Sequence, residues 1–146
     1  MRRAAALGTA ALASVLAACS GLLVPAQLVG TSWQLTELRD DGRVTRVEDP
    51  TRYTMAFNQY HELALRLDCN RGSGRATVTP RVTAGEIAFD PIATTRAACP
   101  PGSLDTRVAQ ALQATRAYAV RDGVLTMSAP GGTQTVWRRA AVTPPA

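Results

Sequence analysis

The chain has 146 residues, 46% of them hydrophobic, with 16 basic against 11 acidic residues and a formal charge of +5. Every basic residue is arginine, and past the first three residues only Arg71-Gly-Ser-Gly-Arg75 and Arg138-Arg139 cluster, so the charge reads as solvated surface and excludes a nucleic-acid footprint. The length admits one domain with a modest core, and a single histidine, His61, excludes most histidine-based metal sites.

Met1-Arg2-Arg3 is a short positive start, and Ala4 to Ala18 follow without one charge. That run has the length of a signal-peptide apolar region and is short for a membrane-spanning helix. It ends Leu16-Ala17-Ala18-Cys19, which resembles the bacterial lipobox, whose cysteine is acylated and becomes the new N-terminus. The alternative is an ordinary secretory signal in which Cys19 is incidental. On the lipobox reading, residues 1–18 are a removed signal peptide, 19–27 a lipidated tether, 28–139 the folded domain and 140–146 a flexible tail. Loss of Arg2 and Arg3 lowers the formal charge from +5 to +3. Ser20 rather than Asp after Cys19 favours the outer membrane, facing the periplasm, in a Gram-negative host.

Three cysteines leave an odd thiol in an exported protein. Assigning Cys19 to lipid leaves Cys69 and Cys99, which an oxidising compartment would join; two unpaired buried thiols are the alternative. Closing a loop of about 31 residues is worth about 3–4 kcal/mol in the chain-entropy picture.

From Trp33 onward, apolar residues recur at period two, the signature of half-buried strands. Trp33 and Leu35 share a face; so do Tyr53, Met55 and Phe57. Leu63, Leu65 and Leu67 oppose Glu62, Arg66 and Asp68. Ala76 and Val78, Ile87 and Phe89, Tyr118 and Val120, Leu125 and Met127, and Thr135 and Trp137 continue the pattern. The breaks fall at Asp40-Asp41-Gly42, Asn58-Gln59, Gly72-Ser73-Gly74, Ala84-Gly85, Asp122-Gly123 and Pro130-Gly131-Gly132. Asp122-Gly123 is the strongest hairpin signal. One segment departs from alternation: after Pro100-Pro101-Gly102, Ser103 can cap a helix over about 104–114, whose stripe is Leu104, Val108, Ala111, Leu112 and Thr115. The expected fold is mostly β, α+β in class: a compact, barrel-like antiparallel sheet of 7–8 strands with one helix, closed because a small flat sheet leaves exposed edges.

Four stretches, in order, resemble the META domain of HslJ-like bacterial lipoproteins. Leu28-Val29-Gly30-Thr31-Ser32-Trp33-Gln34-Leu35 is similar to its opening motif. Leu67-Asp68-Cys69-Asn70-Arg71-Gly72-Ser73-Gly74 is similar to its cysteine turn. Thr94-Thr95-Arg96-Ala97-Ala98-Cys99-Pro100 is similar to the stretch before its helix. Leu125-Thr126-Met127 with Thr135-Val136-Trp137 is similar to its closing hairpin. Asp68 stands where the family usually has Gly, which puts the left-handed backbone there in question, and Ala97 stands where Met is common. The resemblance implies a small antiparallel barrel-like domain with one helix. It also implies an association with envelope stress, novobiocin tolerance in one member, and a likeness to pilotin lipoproteins that bind a partner or lipid in a groove.

No residues form a recognised catalytic motif. His61 reads as an exposed loop residue, with no sequence support for a Ser-His-Asp triad. Arg71 and Arg75 flank a Gly-Ser-Gly stretch that can cradle an anion through its N–H groups, though a turn between strands is the commoner use. Asn70 is expected to bond its local backbone, with recognition as the alternative. Asp68 and Asp90 pair only if the fold joins them. Trp33 and Trp137 are core residues or line a shared ligand cleft. The expectation is a non-enzymatic envelope lipoprotein, without cofactor or metal, held to the membrane by its lipid. It binds an envelope protein or hydrophobic ligand, with Asn70, Arg71, Trp33 and Trp137 as candidate contacts, and supports envelope integrity or stress tolerance. The alternatives are an enzyme-inhibitor module working through the Cys69 turn and an unrecognised hydrolase.

Overall fold

A computed structural model describes residues 27–81 and 83–141. The expected signal peptide, the lipidated Cys19 and most of the tether and tail lie outside the described residues. Ten strands appear: β1 (Ser32–Asp40), β2 (Arg43–Arg46), β3 (Tyr53–Phe57), β4 (Glu62–Leu67), β5 (Asn70–Pro80), β6 (Ala84–Phe89), β7 (Ala93–Thr94), β8 (Ala117–Arg121), β9 (Val124–Ser128) and β10 (Gln134–Arg139). Among the described residues one α-helix, α1 (Asp105–Ala114), stands between β7 and β8. Around the wall the strands run β10-β9-β8-β6-β5-β4-β3-β1, and β10 pairs with β1 to close an eight-stranded antiparallel barrel. β2 extends β1 as a hairpin and β7 lies on the start of β5. The pairing of β1 with β10 removes the two edges an open sheet would expose.

Alternation sets which side chains enter the barrel. Trp33, Leu35, Met55, Val78, Leu125, Met127 and Trp137 are all wholly buried. Eight strands enclose an interior that side chains just fill, and the two indoles and two thioethers are among those that fill it. Phe57 and Phe89 stack with ring centroids 6.3 Å apart. α1 touches β4, β6 and β10, strands on separate sides of the wall, so it lies across one end of the barrel. Its stripe of Leu104, Val108, Ala111, Leu112 and Thr115 is buried there. The hairpin turns at Asp41-Gly42 (φ 47° and 71°) and Asp122-Gly123 (φ 50° and 73°) have the two successive positive φ values of a tight type I′ turn, which matches the twist of the strands it joins.

Several local expectations are corrected. Gly72-Ser73-Gly74 is not a break but lies inside β5, near its start. A Cβ on Gly72 would lie 3.2 Å from the Leu65 side chain and 3.4 Å from the Ala93 carbonyl, and one on Gly74 would meet Ile92 at 3.6 Å. The glycines therefore let the chain around β7 lie close against β5. Ala84-Gly85 likewise begins β6. A Cβ on Gly85 would press into the Thr79 carbonyl and sit 2.9 Å from the Tyr118 ring. Asp68 does not point outward with Glu62 and Arg66: it is 6% exposed, adopts φ 60°, and pairs with Arg52. The left-handed backbone of the turn is thus kept without glycine, because aspartate tolerates it better than most residues. The residue preceding the helix is Leu104, not Ser103. The Leu104 N–H donates to the buried Tyr53 hydroxyl at 2.9 Å, while Ser103 Oγ accepts from the Asp105 N–H at 3.3 Å.

Candidate functional site

The candidate residues of the cysteine turn meet at one junction. β4 and β5 are joined by the two-residue turn Asp68-Cys69, with Leu67 opposite Asn70. Cys69 forms a disulfide with Cys99, thirty positions on, and so ties this turn to the loop that leads into α1. Asn70 sits beneath the bridge, 3% exposed. Its Oδ1 accepts from the Thr95 hydroxyl at 2.9 Å and the Ala97 N–H at 2.8 Å. Its Nδ2 donates to the Ala97 carbonyl at 3.1 Å, the Asp105 carboxylate at 2.9 Å and, more weakly, Cys99 Sγ at 3.3 Å. These partners lie far along the chain, which corrects the expectation of local backbone bonds. Both faces of the carboxamide are used, so its role in the fold is to hold the 95–99 loop and the first turn of α1.

Two ion pairs brace the same end. Arg52 pairs with Asp68. From α1, Arg107 Nε donates to Asp40 Oδ2 at 2.8 Å, its Nη2 reaches the other carboxylate oxygen, and Nη2 also meets Thr45 Oγ1 at 3.2 Å. The helix is thereby fastened to the β1–β2 hairpin. The Arg107 hydrogen bond holds the Asp40 carboxyl below its ordinary value of 3.8, partial burial opposing it, and the same bond raises the Arg107 pKa. Burial raises the Tyr118 phenol, whose hydroxyl has no hydrogen-bond partner among the described residues.

Other singled-out residues separate. Trp33 and Trp137 are 0% exposed and belong to the core, so they line no surface cleft. Trp137 Nε1 donates to Thr135 Oγ1 at 2.7 Å, while Trp33 Nε1 has no partner among the described residues and Arg139 lies over the Trp33 ring at 5.6 Å from its centroid. His61, at φ 66°, is half-buried and its Nδ1 lies 3.2 Å from the Ala76 carbonyl. Asp68 and Asp90 do not converge. The Asp90 N–H bonds to the Arg75 carbonyl, about five residues or roughly 17 Å along β5 from the turn that holds Asp68. Among the described residues no group of three or more His, Cys, Asp or Glu is arranged to hold a metal ion.

The described cavities open on the outside of the barrel. One of about 410 Å³ lies beside the Arg52–Asp68 pair, between the β2–β3 connection and Pro100-Pro101-Gly102. One of about 420 Å³ lies between the 94–97 segment and α1. The largest, about 690 Å³, is a groove over β3, β4 and β5 with Ala56, Ala64 and Ser73 in it and Glu62, Arg75 and Asp90 toward one end. Arg71, exposed on β5, lines its continuation toward β7. Arg66 was not singled out from sequence, yet it faces Arg71 directly across β4 and β5. Once the turn is placed at Asp68-Cys69 that pairing follows by counting outward. The Arg107–Asp40 clamp, 67 positions apart, has no such local signal.

No curated protein matches the chain. Among solved structures, the chain is similar to a protein from Burkholderia xenovorans determined by NMR, with 21% identity and a TM-score of 0.61 over 92% of this chain and 96% of that one. A second NMR structure is 22% identical, with a TM-score of 0.53 over 77% of this chain and 92% of that one. At such identities both likenesses speak to the fold alone. The META domain matches residues 26–141, the span that carries the closed barrel, the helix across its end and the Cys69–Cys99 junction, and the chain belongs to the META-domain family.

Proposed function

We propose that this is a non-enzymatic envelope lipoprotein, anchored through Cys19, whose META domain binds a partner on its outer surface and thereby supports envelope integrity under stress. The observation that carries the reading is the filled barrel. Trp33, Trp137, Met55 and Met127 lie in its core with no exposure, which supports a binding surface on the outside of the barrel over one in its interior. The polar residues that invited chemistry from sequence, Asn70 and Asp68, are committed to holding loops.

Crosslinking of the lipidated protein in its own membranes, followed by capture and identification of what is joined to it, tests the reading. A recurrent protein partner is expected; repeated recovery of nothing above background overturns it. The anchor is tested separately: Cys19→Ala should abolish acylation and release the protein from the membrane pellet, and a variant that stays acylated and pelleted refutes the assignment. The inhibitor reading keeps one specific support. The 95–104 loop is exposed at Pro100, Pro101 and Gly102 yet pinned by the disulfide, Asn70 and Tyr53, as a rigid inhibitory loop requires.

A further inference from the structure

The outer face of β3–β4–β5 carries two guanidiniums in an arrangement that folding alone disfavours. Arg66 and Arg71 are cross-strand partners on the same exposed face. Directly opposed side chains have Cβ atoms about 5 Å apart, where like charges repel. Among the described residues neither forms an ion pair: Arg66 makes only a long bond, 3.4 Å, to the Asp68 carbonyl, and the Arg71 side chain makes no hydrogen bond. The nearby acids are already engaged. Asp68 is taken by Arg52; Asp49, which accepts two bonds from Thr51, keeps its charge and offsets part of that on Arg66 from a distance without forming an ion pair with it, while among the described residues Arg71 has no such acid beside it. Arg96, exposed on the loop that pairs with the start of β5, adds a further positive charge at this end.

Beside this pair the surface is hollow. Ala56, Ala64, Ser73 and Ala93 are successive register partners across β3, β4, β5 and β7. That row crosses three strand spacings, about 14 Å, and the rows of long side chains flanking it are about 14 Å apart along the strands. The Arg66–Arg71 row lies two residues along the strands on one side of this row, with Arg71 lining the adjoining hollow over Gly72, Ala93 and Thr94; Glu62 and Arg75, loosely paired at 3.8 Å, lie two residues along on the other side, with Asp90 near them.

We propose that this groove receives an extended acidic segment of a partner protein, whose carboxylates pair with Arg66 and Arg71. The inference deepens the partner-binding reading above and rests on it. A carboxylate placed against the two guanidiniums turns their repulsion into charge-assisted hydrogen bonds. An extended chain with acids at alternate positions presents them on one side about 7 Å apart, within reach of neighbouring guanidiniums. A flat bilayer would rest on the flanking side chains and leave the groove floor empty, so the concavity favours a chain over a membrane.

The test uses the full chain in detergent and a fluorescein-labelled Glu-Ser-Glu-Ser-Glu-Ser peptide, with its Gln-for-Glu counterpart, followed by anisotropy. The acidic peptide should bind, more weakly as salt rises, and the Gln counterpart should not. R66Q and R71Q should each weaken binding about tenfold, whereas R121Q, on the β8–β9 hairpin, should leave it unchanged. R66E should abolish binding while leaving Tm close to that of wild type, because the opposite-charge pair it makes with Arg71 is offset by repulsion from Asp49. That divergence separates recognition from a merely structural role. Absence of binding, equal binding of the Gln peptide, or indifference to R66Q and R71Q overturns the proposal. So does Arg-dependent binding to anionic phospholipid vesicles without any to the peptide. If membrane crosslinking captures a partner equally well with the R66Q/R71Q double variant, this surface is refuted while the partner-binding reading stands.

Discussion

Asn70 offers the sharpest test of how the helix end of the barrel is held. Its carboxamide is buried and makes four close polar contacts, two as donor and two as acceptor, with residues 25 to 35 positions away. N70A removes them all. A hydrogen bond is worth about 1 kcal/mol net and one to a charged group about 1.5–3 kcal/mol, but Ala97 is exposed and water can re-satisfy its groups, so the expected loss is about 3 kcal/mol. N70D keeps shape and acceptors but replaces the donor facing Asp105, 2.9 Å away, by a second carboxylate. It should cost more than N70A, about 4 kcal/mol at neutral pH. The double swap N70D/D105N restores one donor facing one carboxylate and should regain at least about 1 kcal/mol of the N70D loss in a double-mutant cycle. Urea unfolding of the oxidised proteins reads all three. A cycle with no coupling, or an N70A cost below about 0.5 kcal/mol, refutes the assignment of Asn70 as the post that holds the loop and helix.

Three further outcomes follow from the same structure. C69S/C99S should lose about 3–4 kcal/mol through the freed unfolded chain, and the wild-type domain should show no free thiol at Cys69 or Cys99 on denaturing thiol titration; two such thiols there would refute the bridge. R107A should cost about 1 kcal/mol, the screened value for a partly exposed bidentate pair. Because Asp40 is shifted down on folding, the pair's contribution is present above the ordinary value of 3.8 and is lost as pH falls through the lowered folded value. Wild type and R107A should therefore converge in acid, and a constant difference would show that Arg107 acts by packing instead. G85A should cost about 3 kcal/mol or more, since its methyl group meets the Thr79 backbone and the Tyr118 ring at once; a Tm within a degree or two of wild type would show that the β5–β6–β8 contact yields easily.

The barrel was legible because one physical signal, period two, repeats across its wall. Trp33, Met55, Leu65, Ile87, Met127 and Trp137 all turned inward as their alternation requires. Misreadings cluster at glycine, for an identifiable reason. Gly42 and Gly123 lie in turns where φ is positive, while Gly72, Gly74 and Gly85 lie inside strands where another part of the chain comes close. Glycine serves both needs, and only the distant neighbour distinguishes them: Leu65 and Ala93 for Gly72, Thr79 and Tyr118 for Gly85. Asp68 fails by a similar route. Alternation places it outward, but it has already entered the turn, where Arg52 supplies the charge that makes its burial tolerable.

The candidate site was less legible, and the reason bears on what the family likeness can say. The residues that carry the likeness are Trp33, Cys69, Asn70, Cys99 and Trp137. Each holds the barrel together: two fill its interior, two form the bridge, and one binds the loop to the helix. Their presence specifies a scaffold, and on it a change such as N70A is felt as lost stability. Recognition requires side chains that folding leaves unspent. On the wall of this barrel a pair that fits that description is Arg66 and Arg71, one just before the cysteine-turn stretch and the other an undistinguished position within it. Two charges that repel each other across a hairpin should therefore separate the two requirements in measurement. R66E is expected to leave the barrel about as stable as before and to end its binding of an acidic chain, whereas N70A should weaken the barrel first and binding only as the fold is lost.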